Sequence, residues 1–398
     1  MNVKRSKYVA FFLTDGTMPD FSELLQGRIA LRNQSMVLAA SAIAEAESLL
    51  CSDEFTELQN IPSRSWVEAS SLKKPERVMA WSKSRILITD LGENWASAYR
   101  RREEILDSEL WHCRSAVYHF LSKWKGVSLF PPINAEEANP YGFALQKLAE
   151  GAKSWEKLEP PPSPYWNHPL ALSQIPLNPP ERPTNSDLFD TLLSRASTRY
   201  FNPESALTLN DLSVLLYYAF APLGTAKSVY TAIHKTSPSG GGLHPTEAYL
   251  LVRKVENLRP GLYHYLPQDH SLEVLTTFIE REAAERAVHY AAGQPYVLHA
   301  GALIIMASRF YRNHWKYRRN ERTYMVMAMD IGHLGQTLYL LSTKLDLGCF
   351  FAAAVNAADI ESDLCLDGAQ QGVMAMFAVG VKHPQAALEF SPFVSRRF

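Results

Sequence analysis

The sequence predicts a mixed α+β protein with a smaller module in front of its main domain. After residue 186, stretches with helical spacing alternate with short apolar stretches typical of buried strands. Turn residues such as Pro267-Gln268-Asp269 join two of these strands as a hairpin. This favours a mostly antiparallel sheet flanked by helices over a parallel, doubly wound one. The expected domains are residues 1–150, a linker or arm over 151–185, and the main domain over 186–398.

The N-terminal region is expected to form a winged-helix-like module. Residues 28–50 have helical spacing, which 53–58 continue. Residues 78–81 and 85–89 are predicted as two short strands joined by a polar turn, and 110–124 has the apolar periodicity of a helix. Helices followed by such a hairpin are typical of winged-helix modules. Because its charges are mixed, we expect this module to bind a protein or peptide rather than DNA.

Proline marks the boundary between the two parts. Residues 160–183 contain nine of the 24 prolines, which excludes a helix or a central strand there. The segment is either a free linker or an extended arm packed on another surface. Tyr165, Trp166 and Leu170 favour the packed arm, because a free linker gains nothing by exposing large apolar side chains.

Each element of the main domain follows from periodicity and turn residues. Helices are predicted over 209–221, 280–292 and 323–345, and strands over 248–252, 261–265, 271–275, 302–308 and 373–379. Neither a GxGxxG nor a GxxxxGK[ST] motif occurs, so both standard nucleotide-binding loops are excluded.

Composition indicates which kinds of partner and site to expect. A net charge of −1 gives no support for nucleic-acid binding. The four cysteines form no CxxC pair, and the histidines show no ligand spacing, so we expect free thiols and no metal site. Since neither a signal peptide nor an apolar run of membrane-spanning length is found, we expect a cytoplasmic protein without a membrane partner.

Three motifs point to chemistry. Arg195-x-Ser197-x-Arg199 brings together two guanidinium groups and a hydroxyl, which suits phosphate oxygens, although a solvated basic turn fits as well. Residues 237–245 contain three consecutive glycines, whose N–H groups are able to meet a flat or anionic ligand; a flexible turn is the alternative. Lys316-Tyr317 is the third motif, and its alternative is an exposed basic loop.

Together these motifs resemble the nitroreductase family, an FMN-binding α+β fold, and within it the SagB-type dehydrogenases. The run Arg195-Ala196-Ser197-Thr198-Arg199-Tyr200-Phe201 is similar to the first signature of the family, and 238–245 to the second. Lys316-Tyr317 and residues 330–336 resemble the Lys-Tyr pair and the helix that follows it. Asp330 stands where Glu is more usual, and Met325 where Arg is frequent. The resemblance covers residues 193–384.

The resemblance implies a homodimer that binds FMN and oxidises thiazoline or oxazoline rings of a ribosomally made peptide to thiazoles or oxazoles. Lys316 and Tyr317 would then be catalytic, as base and proton relay, while hydride passes to flavin N5. Burial among aromatic side chains such as Trp315 would lower the pKa of the Lys316 amine. The implied cofactor-binding residues are Arg195, Ser197, Arg199, Pro238, Ser239, Gly240, Gly241, Gln336, Ala353 and Lys382.

Other functions and partners stay open at this point. The same fold would serve an NAD(P)H-dependent reductase of nitro compounds or quinones, or a non-catalytic scaffold in a peptide-modification complex. In the favoured function, the N-terminal module would hold the precursor peptide or a cyclodehydratase partner. The apolar helix over 323–345 is the expected homodimer interface.

Overall fold

The structure is a computed structural model that describes residues 1–19, 31–129, 143, 146–147, 187–227, 231–320 and 322–386. The proline-rich stretch 160–183 lies outside the described residues. The chain forms two compact units. The first combines Met1–Lys123 with Arg309–Ala328 and Leu366–Gly372; the second contains Trp124–Ser308, Met329–Cys365 and the residues from Val373 on. The boundaries 1–150, 151–185 and 186–398 stay predictions.

The strands and helices of the described residues follow one another along the chain. The strands are β1 (Asn2–Arg5), β2 (Val9–Pro19), β3 (Leu31–Ser41), β4 (Ala46–Leu50), β5 (Val67–Glu68), β6 (Leu87–Thr89), β7 (Gly224–Lys227), β8 (Thr231–His234), β9 (Thr246–Val252), β10 (Gly261–Leu266), β11 (Ser271–Thr277), β12 (Ala302–Arg309), β13 (Leu347–Ala352) and β14 (Gln371–Val381). The α-helices are α1 (Ser52–Asn60), α2 (Val78–Lys83), α3 (Asn94–Ser108), α4 (Cys113–Leu121), α5 (Asp187–Ser194), α6 (Leu209–Phe220), α7 (Glu280–Tyr290), α8 (Phe310–Tyr317), α9 (Arg322–Lys344) and α10 (Ala357–Asp363).

The first unit contains two three-stranded sheets, in the orders β5-β1-β6 and β2-β3-β4. The predicted helix over 28–50 is wrong for the residues that the structure describes, because 31–41 and 46–50 are strands. β3 pairs with β2 from Val9↔Ser41 to Pro19↔Leu31. This long pairing overrides the helical preference of its alanines and leucines.

A second correction concerns residues 78–81, which are predicted as a strand but form helix α2. Val78 and Trp81 lie three residues apart, and both are buried, so they share one face of the helix. The helices predicted over 53–58 and 110–124 are confirmed as α1 and α4, and the strand over 85–89 as β6. The winged-helix-like expectation depended on a helix over 28–50 and a hairpin from 78 to 89, and neither is formed.

The second unit is built on a six-stranded sheet in the order β11-β10-β9-β12-β14-β13. β9 pairs antiparallel with β10 and β12, β10 with β11, and β13 with β14. Leu215 of α6 and Leu338 of α9 belong to one buried cluster with Leu250, Ile304 and Phe377 of the sheet. The predicted mixed α+β class with a mostly antiparallel sheet is therefore confirmed, as are the helices and strands predicted after residue 186. β13 was not predicted as a strand.

Among the described residues, none of the helices has the length and hydropathy that a bilayer span requires. The same residues contain no group of three or more His, Cys, Asp or Glu side chains arranged to bind a metal ion. The four cysteines are all free.

Candidate functional site

The glycine run forms a tight loop in the second unit, directly before β9. Gly240–Gly242 make one turn of 3-10 helix, in which Gly241 and Gly242 have φ angles of 71° and 66°. These angles lie in the left-handed region, where a side chain is disfavoured. A Cβ on Gly242 would also lie 3.1 Å from the Cβ of Ala232. The loop therefore requires glycine for both conformation and packing.

Asp330 of α9 fastens this loop. Its carboxylate accepts a hydrogen bond of 2.6 Å from Ser239 Oγ and one of 3.0 Å from the Gly240 N–H. Asp330 is only 4% exposed, and burial raises the pKa of its carboxyl, while the two hydrogen bonds oppose that rise. The backbone N–H of His244 in turn donates to Ser239 Oγ at 3.0 Å. The loop is thus organised around one buried carboxylate.

Two more residues of α9 contact the loop at the turns that follow Asp330. His333 Nδ1 lies 3.3 Å from the carbonyl oxygen of Pro238. Thr337 Oγ1 lies 2.6 Å from Ser237 Oγ. Because positions three and four residues apart share one face of a helix, α9 presents a polar stripe to the glycine loop. In the sequence Asp330 is only a departure from the usual Glu, and no local pattern indicates its contact with the loop.

The arginine motif lies in the loop after α5, and Tyr339 of α9 organises it. The Tyr339 hydroxyl accepts the Phe351 N–H at 2.9 Å and lies 2.9 Å from Ser197 Oγ, to which it is free to donate. The Arg195 guanidinium carbon lies 5.3 Å from the centroid of the Tyr339 ring. Within the part of the chain that the structure describes, no carboxylate pairs with the Arg195 guanidinium. That cation is therefore available to an anion.

Arg199 and Lys382 lie in the same region of the second unit. The Arg199 guanidinium carbon is 5.7 Å from the ring centroid of Tyr296 and 5.6 Å from that of Phe350. The backbones of Phe201 and Lys382 form an isolated antiparallel bridge, which brings Lys382 to the end of the arginine motif. Its amine forms a 2.6 Å ion pair with Asp346 Oδ1, so its charge is partly neutralised.

Gln336 of α9 and Ala353, which follows β13, are both exposed. The helix that carries Gln336 approaches β13 closely at Gly335. A Cβ there would lie 2.7 Å from Cδ2 of the Phe351 ring. By contrast, a Cβ at Gly332 would have no neighbour within 4 Å. Of the two helical glycines, only Gly335 is therefore required by packing.

Lys316 and Tyr317 lie at the end of α8 in the first unit, whereas the glycine and arginine loops belong to the second. Lys316 is exposed, and its Nζ lies 5.5 Å from the centroid of the Tyr317 ring. Trp315 is 36% exposed. The expected burial of the Lys316 amine among aromatic side chains is therefore wrong for this structure. Tyr317 is half-buried.

The two loops share one support. Asp330 and Tyr339 are nine positions apart on α9, which corresponds to about 13 Å along the axis at ~1.5 Å per residue. The same nine positions turn the helix by about 180°, so the two residues fasten the two loops from opposite faces of α9.

Comparisons with known proteins show the family of the chain. Residues 192–381 match the nitroreductase family. The chain is 31% identical over 161 residues to "Putative nitroreductase MJ1384" of Methanocaldococcus jannaschii, covering 40% of this chain and 75% of that protein. The chain belongs to the nitroreductase family. It is also 31% identical over 180 residues to the trifolitoxin-processing protein TfxB of Rhizobium leguminosarum bv. trifolii, covering 44% of this chain and 47% of TfxB.

Solved structures with similar folds include a nitroreductase-type protein from Anabaena variabilis, with a TM-score of 0.42 and 25% identity over 50% of this chain and 38% of that one. A chain of the E. coli microcin synthetase McbBCD complex has a TM-score of 0.49 and 20% identity over 70% of this chain and 94% of that one. The chain therefore spans less than half the length of TfxB and of the Anabaena protein.

Proposed function

We propose that this chain is an FMN-dependent dehydrogenase that oxidises thiazoline or oxazoline rings in a ribosomally made peptide. The observation that carries the proposal is that α9 fastens both loops expected to bind the cofactor, through Asp330 to the glycine loop and through Tyr339 to the arginine motif. Similarity to TfxB, whose name describes toxin processing, supports a peptide as the substrate.

The residues present fit FMN. The Arg195 guanidinium, which pairs with no carboxylate of the described residues, and the Ser197 hydroxyl suit its phosphate, and Arg199 belongs to the same sequence motif. Over 240–242 the glycine loop presents a backbone without side chains that would obstruct a flat ring. Gln336, Ala353 and Lys382 stay proposed ligands on family resemblance alone. When bound, FMN would supply the two-electron acceptor that the dehydrogenation needs.

Lys316 and Tyr317 would manage the proton. Aromatisation of an azoline removes a proton from one ring carbon and a hydride equivalent, which goes to the oxidised cofactor, from its neighbour. The Lys316 amine would take the proton, and Tyr317 would orient the ring or pass the proton on. Lys316 is exposed, so the described residues of this chain do not shield its amine from water. We therefore expect the peptide itself to complete the environment of the base.

We further propose a homodimer and a peptide-modifying partner such as a cyclodehydratase. Met329, Gly332, His333 and Gln336 are exposed and lie at helical spacing on one face of α9. A second copy of the chain packed on this face would bury Met329, which is 55% exposed.

The decisive experiment compares the purified protein with its Lys316→Ala variant. We expect both to show flavin absorbance, and only the parent to remove two hydrogens from an azoline-containing peptide, measured by mass spectrometry. Tyr317→Phe keeps the ring of Tyr317 and tests the proton relay separately.

Each alternative predicts a different result. A colourless protein that FMN does not reconstitute would contradict the cofactor and favour a scaffold. A Lys316→Ala variant with full azoline turnover would contradict the assigned base. Reduction of quinones by NAD(P)H, with no azoline oxidation in either protein, would identify a reductase.

A further inference from the structure

The N-terminal unit holds the helix that carries Lys316 and Tyr317. Although α8 lies within the matched family region of 192–381, its residues cluster with Met1–Lys123. The contacts that fix α8 lie on both sides of the Lys-Tyr pair, at Phe310 and His314 before it and at Arg319 after it. This arrangement gives the unit a role beyond capture of a peptide.

Before the pair, α8 packs on a buried tryptophan. Trp111 is 1% exposed, and its ring centroid lies 4.6 Å from that of Phe310 and 4.9 Å from that of His314. His314 Nδ1 lies 2.8 Å from the carbonyl oxygen of Glu109, so this nitrogen carries the proton and donates. Trp111 Nε1–H donates to the Ala369 carbonyl oxygen at 2.9 Å. These contacts fix the rotation of α8 about its axis and its distance from Trp111.

After the pair, Arg319 fixes the exit from the helix. Its Nη2 donates to the carboxylate of Asp107 at 2.5 Å and to the carbonyl oxygen of the same residue at 3.1 Å. Its Nη1 donates to the Tyr8 hydroxyl at 3.2 Å. Asp107 also accepts a 2.9 Å bond from Lys7 Nζ, and both cations keep the pKa of its carboxyl low despite its partial burial. Arg319 Nη1 also donates to the carbonyl oxygen of Trp111 at 3.4 Å. A guanidinium fork with four acceptors is fixed in direction as well as in distance.

The residue between the pair and Arg319 shows why this anchor is needed. Arg318, the residue directly after α8, has φ 53° and ψ −145°, a positive-φ conformation that a residue with a side chain rarely adopts. Such a conformation persists only when its surroundings hold it. The hydrogen bonds of the Arg319 guanidinium stabilise the conformation of Arg318 from the next position in the chain.

We propose that Arg319, through Asp107 and Tyr8, is a positioning residue that holds Lys316 and Tyr317 for proton transfer. The inference rests on the proposed function. Lys316 makes the chemical contact, and Arg319 acts through the backbone of residues 317–319. Because small displacements of a reacting group reduce rates strongly, the loss of this anchor lowers turnover rather than cofactor binding.

The test uses the full-length protein loaded with FMN and three variants. Arg319→Ala removes the fork, and Arg319→Lys keeps one charge without it. Arg77→Ala is the matched control, since it removes the arginine–carboxylate pair with Glu54 in the same unit. Hydrogen exchange of residues 310–320, measured by mass spectrometry, needs no substrate. FMN content, kcat and KM for azoline oxidation complete the set.

We expect Arg319→Ala to raise exchange in 310–320 about tenfold and to lower kcat about tenfold or more, with KM and FMN content near parental values. Exchange and kcat of Arg319→Lys should lie between those of Arg319→Ala and the parent. Both quantities should be parental in Arg77→Ala. Unchanged exchange in Arg319→Ala would overturn the anchor. Increased exchange with parental kcat would overturn the positioning role. A parent protein without azoline oxidation would overturn the proposed function, and the positioning role with it, while the exchange data still decide the anchor.

Discussion

Replacement of Asp330 by alanine should weaken FMN binding more than it weakens the fold. The change removes the acceptor of two hydrogen bonds, from Ser239 Oγ and from the Gly240 N–H. At a net ~1 kcal/mol each, the loss of both bonds disfavours the ordered conformation of the glycine loop by about 2 kcal/mol. This corresponds to a Kd for FMN that is about 30-fold higher. The fold loses less, because the variant also removes a buried carboxylate whose raised pKa shows that burial disfavours its charge.

Fluorescence titration of apoprotein with FMN measures this effect, and thermal unfolding measures the fold in parallel. Asp330→Asn should be intermediate, since its amide oxygen still accepts from Ser239 while its NH2 group opposes the Gly240 N–H. Thr337→Val is the matched control on the same helix, because it removes only the partner of Ser237. We expect its Kd to stay within about twofold of the parental value. A Kd for Asp330→Ala equal to that of Thr337→Val would refute the reasoning.

Two further predictions concern packing and pH. Gly335→Ala should destabilise the protein by about 1–3 kcal/mol, because its Cβ meets the Phe351 ring, whereas Gly332→Ala should be neutral or stabilising in urea unfolding. Equal effects would contradict this reason. Burial lowers the pKa of His314 to about 4, so the unfolded chain binds its proton first as the pH falls. The free energy of unfolding should therefore be about 2 kcal/mol lower at about pH 5 than above about pH 6.5. Urea unfolding measures this difference, which should be smaller for His314→Gln than for the parent. Equal differences would contradict the burial of this group.

The local pattern of apolar residues was sufficient to predict the helices and strands that are buried in the core. The long apolar helix α9 and the buried strand β12 are of this kind. The hairpin of β2 and β3 was not predictable in the same way. Its register joins Val9 to Ser41, and β3 contains the alanine, leucine and serine composition of a helix. A pairing between residues 12 to 32 positions apart leaves no signal in a short window of sequence.

The candidate site was predictable where backbone geometry demands a residue type. Glycine at 241 and 242 reflects positive φ angles, and the motif therefore showed in the sequence. Tyr339 was missed because a tyrosine in an apolar helix has the same pattern as a core residue. α8 clusters with the N-terminal unit, where His314 contacts Trp111, a residue about two hundred positions earlier. No local pattern encodes that contact.

The three-part composition of the first unit limits how this protein is able to exchange parts with its relatives. Because 309–328 and 366–372 complete the unit that begins at Met1, a single crossover in the proline-rich stretch would separate Trp111 from Phe310 and His314. A hybrid with a foreign front module would present α8 to a surface that did not evolve with it. The front module and these two segments must therefore be inherited, or transplanted, as one block. Under the proposed function, peptide binding and proton transfer would then change together in evolution.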